Sequence, residues 1–235
     1  MLIASNLPKI LNLNPRSIYN KRVELKTFIL EQEIDVVCLS ESWERHDLSI
    51  EEALNLGDNY KVISNPFVRR ERGGRPAIIV NTNKFDVEDP GISPVWGVEM
   101  VWAVVKLRNT THASTVRKIV IGSFYSKPNS RKKSELLDHI AEVYHALLAR
   151  HKDGTYFVLC ADSNDLKLDG ILNLSPALKQ IVTLPTRLDA ILDPVITDLA
   201  QFYCSPEVLE PLDCDEDMNG ASSDHNMVVV SQGHQ

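Results

Sequence analysis

The chain has 235 residues, 43% hydrophobic and 24% charged, which is long enough to fold around a sizeable apolar core. Its formal net charge of −7 argues against a protein that coats nucleic acid over its whole surface, although an enzyme needs only local positive charge. No apolar run approaches the roughly 20 residues of a membrane-spanning helix, so we expect no membrane partner. The four cysteines include no C-x-x-C pair, which argues against zinc and favours a reducing compartment.

The hydrophobic pattern predicts helices and strands in mixed order. Helices are predicted over 21–33 and 134–150, and strands over 34–39, 77–80, 101–105, 119–125, 156–160, 190–196 and 227–230. A polar hairpin over 109–117 joins two of these strands. Because several adjacent strands have no helix between them, a purely parallel sheet is disfavoured. We predict an α+β fold of two packed mixed sheets with helices outside, in a single domain over 1–235, since no linker or repeat divides the chain.

Most of the side chains that could bind cations or move protons stand at the end of a predicted strand. They are Asn14, Glu41, Tyr125, Asp162, Asn164, Asp193 and His225. A hard cation needs oxygen ligands, an attacking water needs a base, and phosphate oxygens need hydrogen-bond donors. This inventory suits phosphodiester hydrolysis, and its repeated position at strand ends predicts one active-site rim.

Short motifs along the chain carry a resemblance to a known superfamily. They are Asn14-Pro15-Arg16-Ser17-Ile18-Tyr19-Asn20-Lys21, Leu39-Ser40-Glu41-Ser42-Trp43, Arg72-Gly73-Gly74, Phe124-Tyr125-Ser126-Lys127-Pro128, Cys160-Ala161-Asp162-Ser163-Asn164, Leu184-Pro185-Thr186-Arg187, Ile191-Leu192-Asp193-Pro194-Val195-Ile196-Thr197 and Ser223-Asp224-His225. Through them the chain resembles the endonuclease/exonuclease/phosphatase superfamily, with the DNase I-like fold. Within it, the chain is similar to the endonuclease domain of non-LTR (LINE-type) retrotransposons, from about residue 7 to residue 230.

Some positions depart from the family's pattern. Arg75-Pro76 stands where the family usually has aliphatic residues, and Pro194 also replaces an aliphatic residue. Ala161 replaces the usual glycine, and Ser163 replaces an aromatic or aliphatic residue. The reactive side chains themselves match the family.

The resemblance implies a four-layer α/β sandwich, in which two packed mixed β-sheets are flanked by helices. It also implies that Glu41 is the main ligand of Mg²⁺, or of Mn²⁺, with Asn14 and Asp224 assisting. The position of Glu41 agrees with a role in binding a cation, because a carboxylate directly after a buried strand is costly to desolvate unless it has a partner. Whether one or two metal ions bind stays open.

The resemblance gives three further residues roles at the phosphate. Asp162 would align or deprotonate the attacking water, Asn164 would hold a phosphate oxygen, and the Tyr125 hydroxyl would reach the scissile phosphate. Alternation along an extended segment predicts that Asp162 and Asn164 point the same way.

The resemblance also implies that Asp193 orients the catalytic His225. A carboxylate partner fixes the tautomer of an imidazole and favours its protonated form. Asp189 is a nearby competitor, but Asp193 has the matching apolar context. The general base is either Asp162 or His225 paired with Asp193, and the sequence does not separate the two.

Basic residues predict where DNA would bind. Positive charge clusters over 69–75 and over 131–133. Several spaced cations strengthen binding to a duplex, because each neutralises a backbone phosphate. The predicted DNA-binding residues are Arg16, Arg72, Arg75, Arg131 and Lys132.

Taken together, the resemblance implies a Mg²⁺-dependent endonuclease that nicks one DNA strand and leaves a 3′-hydroxyl and a 5′-phosphate. In a retrotransposon that 3′-hydroxyl primes reverse transcription. One alternative is a phosphatase of the same fold that acts on lipid, inositol or nucleotide phosphates. Another is a catalytically decayed module that binds nucleic acid without cutting it.

Two further expectations concern the setting of the chain. No reverse transcriptase region follows the last motif, so we expect an excised domain, a truncated copy or an independent protein. An intracellular, nuclear site of action follows only from the function that the resemblance implies.

Overall fold

The computed structural model describes residues 6–66, 74–108, 115–150, 154–214 and 222–233. Within these ranges the chain forms two six-stranded sheets and a small number of helices. The helices are α1 (Arg22–Glu31), α2 (Ile50–Leu54), α3 (Lys133–Arg150), α4 (Asp169–Leu172) and a 3-10 helix (Ala200–Phe202). None of the helices in the described ranges is long and apolar enough to cross a membrane.

Both sheets are mixed and share one pattern of strand directions. The first contains, in spatial order, β11 (Glu207–Leu209), β12 (Met227–Val230), β1 (Ile10–Leu13), β2 (Val36–Leu39), β4 (Ala77–Asn81) and β3 (Tyr60–Ser64). The second contains β5 (Phe85–Glu88), β6 (Met100–Leu107), β7 (Lys118–Tyr125), β8 (Thr155–Asp162), β10 (Val195–Thr197) and β9 (Lys179–Gln180). In each sheet the two central strands, β1–β2 or β7–β8, are parallel, whereas their other neighbours are antiparallel.

Each parallel pair is joined by a helix, because parallel strands need a long crossover connection. α1 connects β1 to β2, and α3 connects β7 to β8. α3 buries Leu136, Ile140 and Leu147 against the second sheet, at the spacing of one helical face. α1 buries Leu25 and Ile29 against the first sheet in the same way. Both long helices therefore cover outer faces of the sheets.

The inner faces of the two sheets pack directly on each other. Alternate residues of β2 show the division, since Val36 and Cys38 enter the core between the sheets while Val37 and Leu39 face the layer of α1. Cys160 of β8 belongs to the same inter-sheet core. Helix, sheet, sheet and helix thus form four layers, which confirms the predicted sandwich.

Two buried polar side chains connect the sheets near one end of the sandwich. Asn12 of β1 donates through Nδ2 to the carbonyl oxygens of Ala161 and Pro194, at 3.1 and 3.3 Å. Ser123 of β7 donates through Oγ to the carbonyl oxygen of Leu39 at 2.9 Å. A buried polar group without a partner is costly, so these bonds favour one relative position of the sheets.

Some sequence predictions of elements were wrong. The strand predicted over 190–196 begins only at Val195, because Pro194 has no N–H to donate to a ladder. The strand predicted over 34–39 begins at Val36. Part of the hairpin predicted over 109–117 lies outside the described residues.

Candidate active site

The strand directions collect reactive residues at one end of the sandwich. Because β1 is parallel to β2, and β7 to β8, the carboxyl ends of each pair lie together. β12 runs antiparallel to β1, and β10 to β8, so the residues that precede these two strands lie at the same end. The residues that meet there, called the buried cluster below, are Asn14, Glu41, Asp162, Asp193 and His225.

Asn14 connects the carboxylates of the two sheets. Its Nδ2 donates to Glu41 Oε1 at 2.9 Å and to Asp162 Oδ2 at 2.7 Å. The other carboxylate oxygen of Glu41 accepts from the Trp43 indole N–H at 2.8 Å. Glu41 is 9% exposed, and Asp162 is 1% exposed. Two acidic groups from different sheets are therefore held close together at the edge of the core.

Asp193 and His225 form a buried pair beside Asp162. The Nδ1 atom of His225 lies 2.9 and 3.1 Å from the two carboxylate oxygens of Asp193. Its Nε2 atom lies 3.9 Å from Asp162 Oδ2. This contact puts the Nδ1 proton on the Asp193 side and turns Nε2 toward Asp162. The partner of His225 is thus Asp193, whereas the competitor Asp189 is exposed.

Thr186 is a further site residue, for which the motif Leu184-Pro185-Thr186-Arg187 predicted no role. Its hydroxyl donates to Asp193 Oδ2 at 2.7 Å and accepts from the backbone N–H groups of Leu192 and Asp193 at 3.0 Å. The side chain is fully buried. Thr186 therefore fixes the carboxylate that in turn orients the imidazole.

Two serines connect the segments that carry the cluster. Ser223 donates through Oγ to the carbonyl oxygen of Asn14 at 2.6 Å and accepts from the His225 N–H at 3.2 Å. Ser163 donates through its backbone N–H and its hydroxyl to the Leu192 carbonyl oxygen, at 2.7 and 3.0 Å. The serine that replaces an apolar residue of the family pattern thus anchors its loop by hydrogen bonds.

Burial and mutual charge shift the pKa values of the cluster upward. Burial, followed by the charge of Asp193, raises the pKa of Asp162 to about 7. Burial also raises the pKa of Asp193, although its hydrogen bond with His225 opposes this. For His225, burial lowers the pKa, but the hydrogen bond and charge of Asp193 and the charge of Asp162 outweigh it, and the net pKa is raised. The cluster can therefore take up and release protons near neutral pH.

Tyr125 and Asn164 lie beside the cluster in different ways. Burial, and then the charge of Glu41, raises the pKa of the half-buried Tyr125, so its hydroxyl stays protonated and can donate. Asn164 has a left-handed φ of 44°, so its backbone is not extended as the predicted alternation had assumed. Its Nδ2 donates to the Ser126 carbonyl oxygen at 3.1 Å, and its backbone N–H donates to Asp162 Oδ1 at 3.2 Å.

Asp224 lies at the exposed rim of the site. One carboxylate oxygen accepts from Arg16 Nη1 at 3.2 Å, and the other contacts Arg187 Nη2. Burial alone would raise the pKa of Asp224, but the Arg187 hydrogen bond and charge outweigh it and lower the pKa. The residue expected to assist the cation is thus engaged by two arginines.

The other predicted DNA-binding residues lie on separate loops. Arg75 has a left-handed φ of 65°, and its carbonyl oxygen accepts from the Ser42 hydroxyl at 2.6 Å, next to the end of β2. Arg131 and Lys132 are exposed just before α3, and the Lys132 ammonium pairs with a carboxylate three residues along. Arg72 lies outside the described residues.

The residues present fit a hard divalent cation. Ligand atoms of Asp162, Asp193 and His225 lie within 4.8 Å of one another, and Asn14 joins Glu41 to the same group. Three buried carboxylates face one imidazole, so a dication would offset their negative charge, and carboxylate oxygens suit Mg²⁺ or Mn²⁺. Because Asp193 is engaged by His225, Glu41 is the carboxylate that suits the role of main ligand, with Asp162 beside it.

Comparisons with known proteins identify the fold. No model of a known family and no curated protein matches the sequence. Among solved structures, the endonuclease domain of TRAS1, a telomere-specific non-LTR retrotransposon, superposes with a TM-score of 0.67 at 16% identity, covering 97% of this chain and 100% of that one. An AP endonuclease from Archaeoglobus fulgidus gives 0.60 at 16% identity over 96% of this chain and 99% of that one. A mannosyl-6-phosphatase from Bacteroides thetaiotaomicron gives 0.69 at 14% identity over 97% and 100%. The chain therefore has the DNase I-like fold of the endonuclease/exonuclease/phosphatase proteins, as its motifs implied.

Proposed function

We propose that this protein is a Mg²⁺-dependent endonuclease, with Mn²⁺ as an alternative ion, that nicks one strand of DNA. The products are a 3′-hydroxyl and a 5′-phosphate, as in target-site cleavage by a non-LTR retrotransposon. The observation that supports this best is the buried cluster, in which Asn14 joins Glu41 to Asp162 while Asp193 pairs with His225. It brings oxygen ligands, a proton acceptor and an imidazole donor to one place.

Asp162 is the general base in this proposal. Water attacks phosphorus, Asp162 takes the proton of that water, the bond between phosphorus and O3′ breaks, and the leaving O3′ takes a proton from solvent to become the 3′-hydroxyl. The Asn164 backbone N–H bonds one carboxylate oxygen of Asp162, which fixes the direction of the other. Its pKa of about 7 lets Asp162 accept a proton near neutral pH.

His225 is the phosphate-binding acid. The Asp193 carboxylate raises the pKa of His225 and so favours the protonated imidazole. Its Nδ1–H is held by Asp193, which leaves Nε2–H to donate to a phosphate oxygen. The Tyr125 hydroxyl, next to Glu41, is a second donor.

Glu41 would hold the cation, with Asn14 beside it and the Trp43 indole fixing the carboxylate. A bound Mg²⁺ supplies positive charge against the oxygens on which negative charge develops during displacement. The protein's own part is to orient these ligands from the ends of two different sheets.

DNA is the proposed substrate, and this rests on two supports. The TRAS1 neighbour is described as the endonuclease domain of a retrotransposon. The predicted DNA-binding residues Arg16, Arg75, Arg131 and Lys132 are also exposed or half-buried cations. A nuclear site of action follows from this substrate.

The test is nicking of supercoiled plasmid with Mg²⁺, with EDTA, and with an Asp162→Asn variant that keeps the shape of the side chain. We expect open-circle product that requires the metal and is lost in the variant. DNA ligase should reseal the nick directly, because it requires a 3′-hydroxyl next to a 5′-phosphate. A folded wild-type protein that leaves the plasmid intact would contradict the proposal.

A phosphatase is the second candidate, because a mannosyl-6-phosphatase shares the fold over the whole chain. Release of inorganic phosphate from sugar, inositol or nucleotide monoesters, without plasmid nicking, would support it. Salt-dependent DNA binding without any turnover would instead indicate a decayed binding module.

A further inference from the structure

We propose that Arg16, Asp224 and Arg187, called the rim triad below, form a binding site for one backbone phosphate next to the scissile bond. In this site Arg16 and Arg187 bind the phosphate, and Asp224 positions their guanidinium groups. Arg187 was not among the residues predicted to bind DNA. The inference rests on the proposed function and specifies its substrate as a polynucleotide.

The triad is attached to the buried cluster through the chain itself. Arg16 lies two residues after Asn14, Arg187 directly follows Thr186, and Asp224 directly precedes His225. The Arg16 backbone N–H also donates to Asn14 Oδ1 at 2.9 Å. Positions next to such tightly bonded residues are well defined, so the charged groups stand at a fixed distance from the reaction centre.

The guanidinium groups of Arg16 and Arg187 have N–H donors that Asp224 does not engage. Asp224 Oδ1 contacts Arg16 Nη1, and Asp224 Oδ2 contacts Arg187 Nη2. Each guanidinium has five N–H donors in a planar fork that matches phosphate oxygens. Arg187 Nε is buried without a hydrogen-bond partner among the described residues, so the donors open to a ligand are the guanidinium N–H groups that Asp224 does not engage. Since both groups contact one carboxylate, they lie close enough together to reach one phosphate.

The charge and exposure of the triad suit a phosphate. Two guanidinium groups and one carboxylate leave a net charge of +1 beside an acidic cluster. The side chains of Arg16, Asp224 and Arg187 are 42%, 42% and 34% exposed, so a ligand can reach them. Arg187 directly follows Thr186, which bonds Asp193. The charge of Arg187 opposes the net rise in the pKa of Asp193 and of His225.

A second phosphate separates two classes of substrate. A polynucleotide has a phosphate on each side of the scissile bond, whereas a small sugar monophosphate has none beyond its reacting group. The rim triad would therefore stabilise a bound nucleic acid strand and add nothing for a small monoester.

The first arm of the test measures binding to a fluorescent DNA duplex in EDTA, where no cleavage occurs. We expect Arg16→Ala and Arg187→Ala each to reduce the slope of log affinity against log salt by about 1. The matched control is Arg108→Ala. Arg108 is 41% exposed and also pairs with an aspartate, but lies at the opposite end of β6 from the site. Slopes unchanged in both rim variants would overturn the proposal.

The second arm measures cleavage of a labelled strand with one methylphosphonate next to a chosen bond. Cutting at that bond is expressed relative to distant bonds in the same strand. A methylphosphonate has no negative charge for the rim triad to bind. In the wild type, a methylphosphonate on one side of the bond should therefore suppress cutting at that bond by about 10-fold, which corresponds to the loss of one charge-assisted hydrogen bond. In Arg187→Ala the suppression should fall below about twofold, because the contact is already lost. Equal suppression in wild type and variant would overturn the proposal.

Asp224→Ala tests the positioning role. The salt slope should stay unchanged, because both cations remain, while the suppression by the methylphosphonate should weaken, because the guanidinium groups lose their common anchor. Unaltered suppression would contradict this role. If no bond is cut by any protein, the proposed nuclease function fails, but the salt slopes in EDTA still decide whether the triad binds phosphate.

Discussion

The buried cluster and the rim triad are neighbours along the chain but differ in their surroundings. Members of the cluster are at most 9% exposed, whereas the triad side chains are 34–42% exposed. Both contain carboxylates paired with basic side chains. In the cluster, low solvent access shifts pKa values and makes each partner necessary. In the triad, water and salt screen the charges.

Under the proposed function, this difference divides the work of one active site. Buried groups would carry the chemistry, since their charge and orientation are held without competition from water. Exposed groups would steer and hold the polymer, each contributing little alone. Changes in the cluster should therefore have large effects that do not depend on salt, and changes in the triad should have small, salt-dependent effects.

The largest effect is expected for His225→Ala. The variant loses the donor to the phosphate and leaves Asp193 buried without its partner, so the initial nicking rate should fall by about 10³-fold. His145→Ala, an exposed position on α3, is the control and should nick normally. Circular dichroism of both variants checks folding. More than a tenth of wild-type activity in folded His225→Ala would contradict the role given to the imidazole.

A smaller effect, specific to the metal, is expected for Glu41→Gln. The amide keeps the shape of the side chain but removes the negative charge, so the Mg²⁺ concentration that gives half-maximal nicking should rise by about 10- to 100-fold. Titration of the rate with Mg²⁺ measures this. The exposed Glu135→Gln is the control. An unchanged midpoint in Glu41→Gln would mean that another residue holds the ion.

Asp193→Asn should change the pH dependence of the reaction. Asp193 raises the pKa of His225, and the proposed mechanism needs the protonated imidazole. Without that charge the pKa falls, so the descending limb of the pH–rate profile should move to lower pH. At neutral pH, kcat/KM should drop by about 10-fold or more. Measurement of kcat/KM from pH 5.5 to 9.5 checks the sign, and a shift to higher pH would contradict it.

The smallest effect is expected for Asp198→Asn. This substitution tests how a buried carboxylate with no proposed role in catalysis affects the stability of the fold. Asp198 follows β10, at the end opposite Asp193, and burial raises its pKa to about 6. Its carboxylate accepts from the Phe157 N–H at 2.8 Å, which an asparagine can also do. Because the folded-state pKa is raised above the ordinary value, the cost of burying the charge appears as pH rises through 6. Tm should therefore rise by about 2–4 °C at pH 8.

At pH 3.5, below the ordinary aspartate value, the same substitution should leave Tm nearly unchanged, because the proton is bound in the folded and unfolded states alike. Nicking at neutral pH should match the wild type. A lower Tm at pH 8 would show that the ionised Asp198 stabilises the fold.

Long regular elements were predictable from the sequence, and short irregular ones were not. β12 matches its predicted range, and α3 begins one residue earlier than predicted, because apolar runs and helical periodicity are local signals. β1 was missed, because it has only four residues and Asn12 interrupts its apolar pattern. Asn12 is polar because it binds the opposite sheet, a contact with residues about 150 and 180 positions away.

The sequence by itself determined the reactive side chains, since Glu41, Asp162 and His225 stand in local motifs next to apolar strands. Only the tertiary structure decided which groups meet. Ser223 bonds the backbone of Asn14 across 209 positions, and Asp224 pairs with Arg16 across 208. Local patterns carry no information about contacts at such separations. They form because β12 pairs with β1 and the two sheets pack face to face, so that loops distant in the chain share one edge.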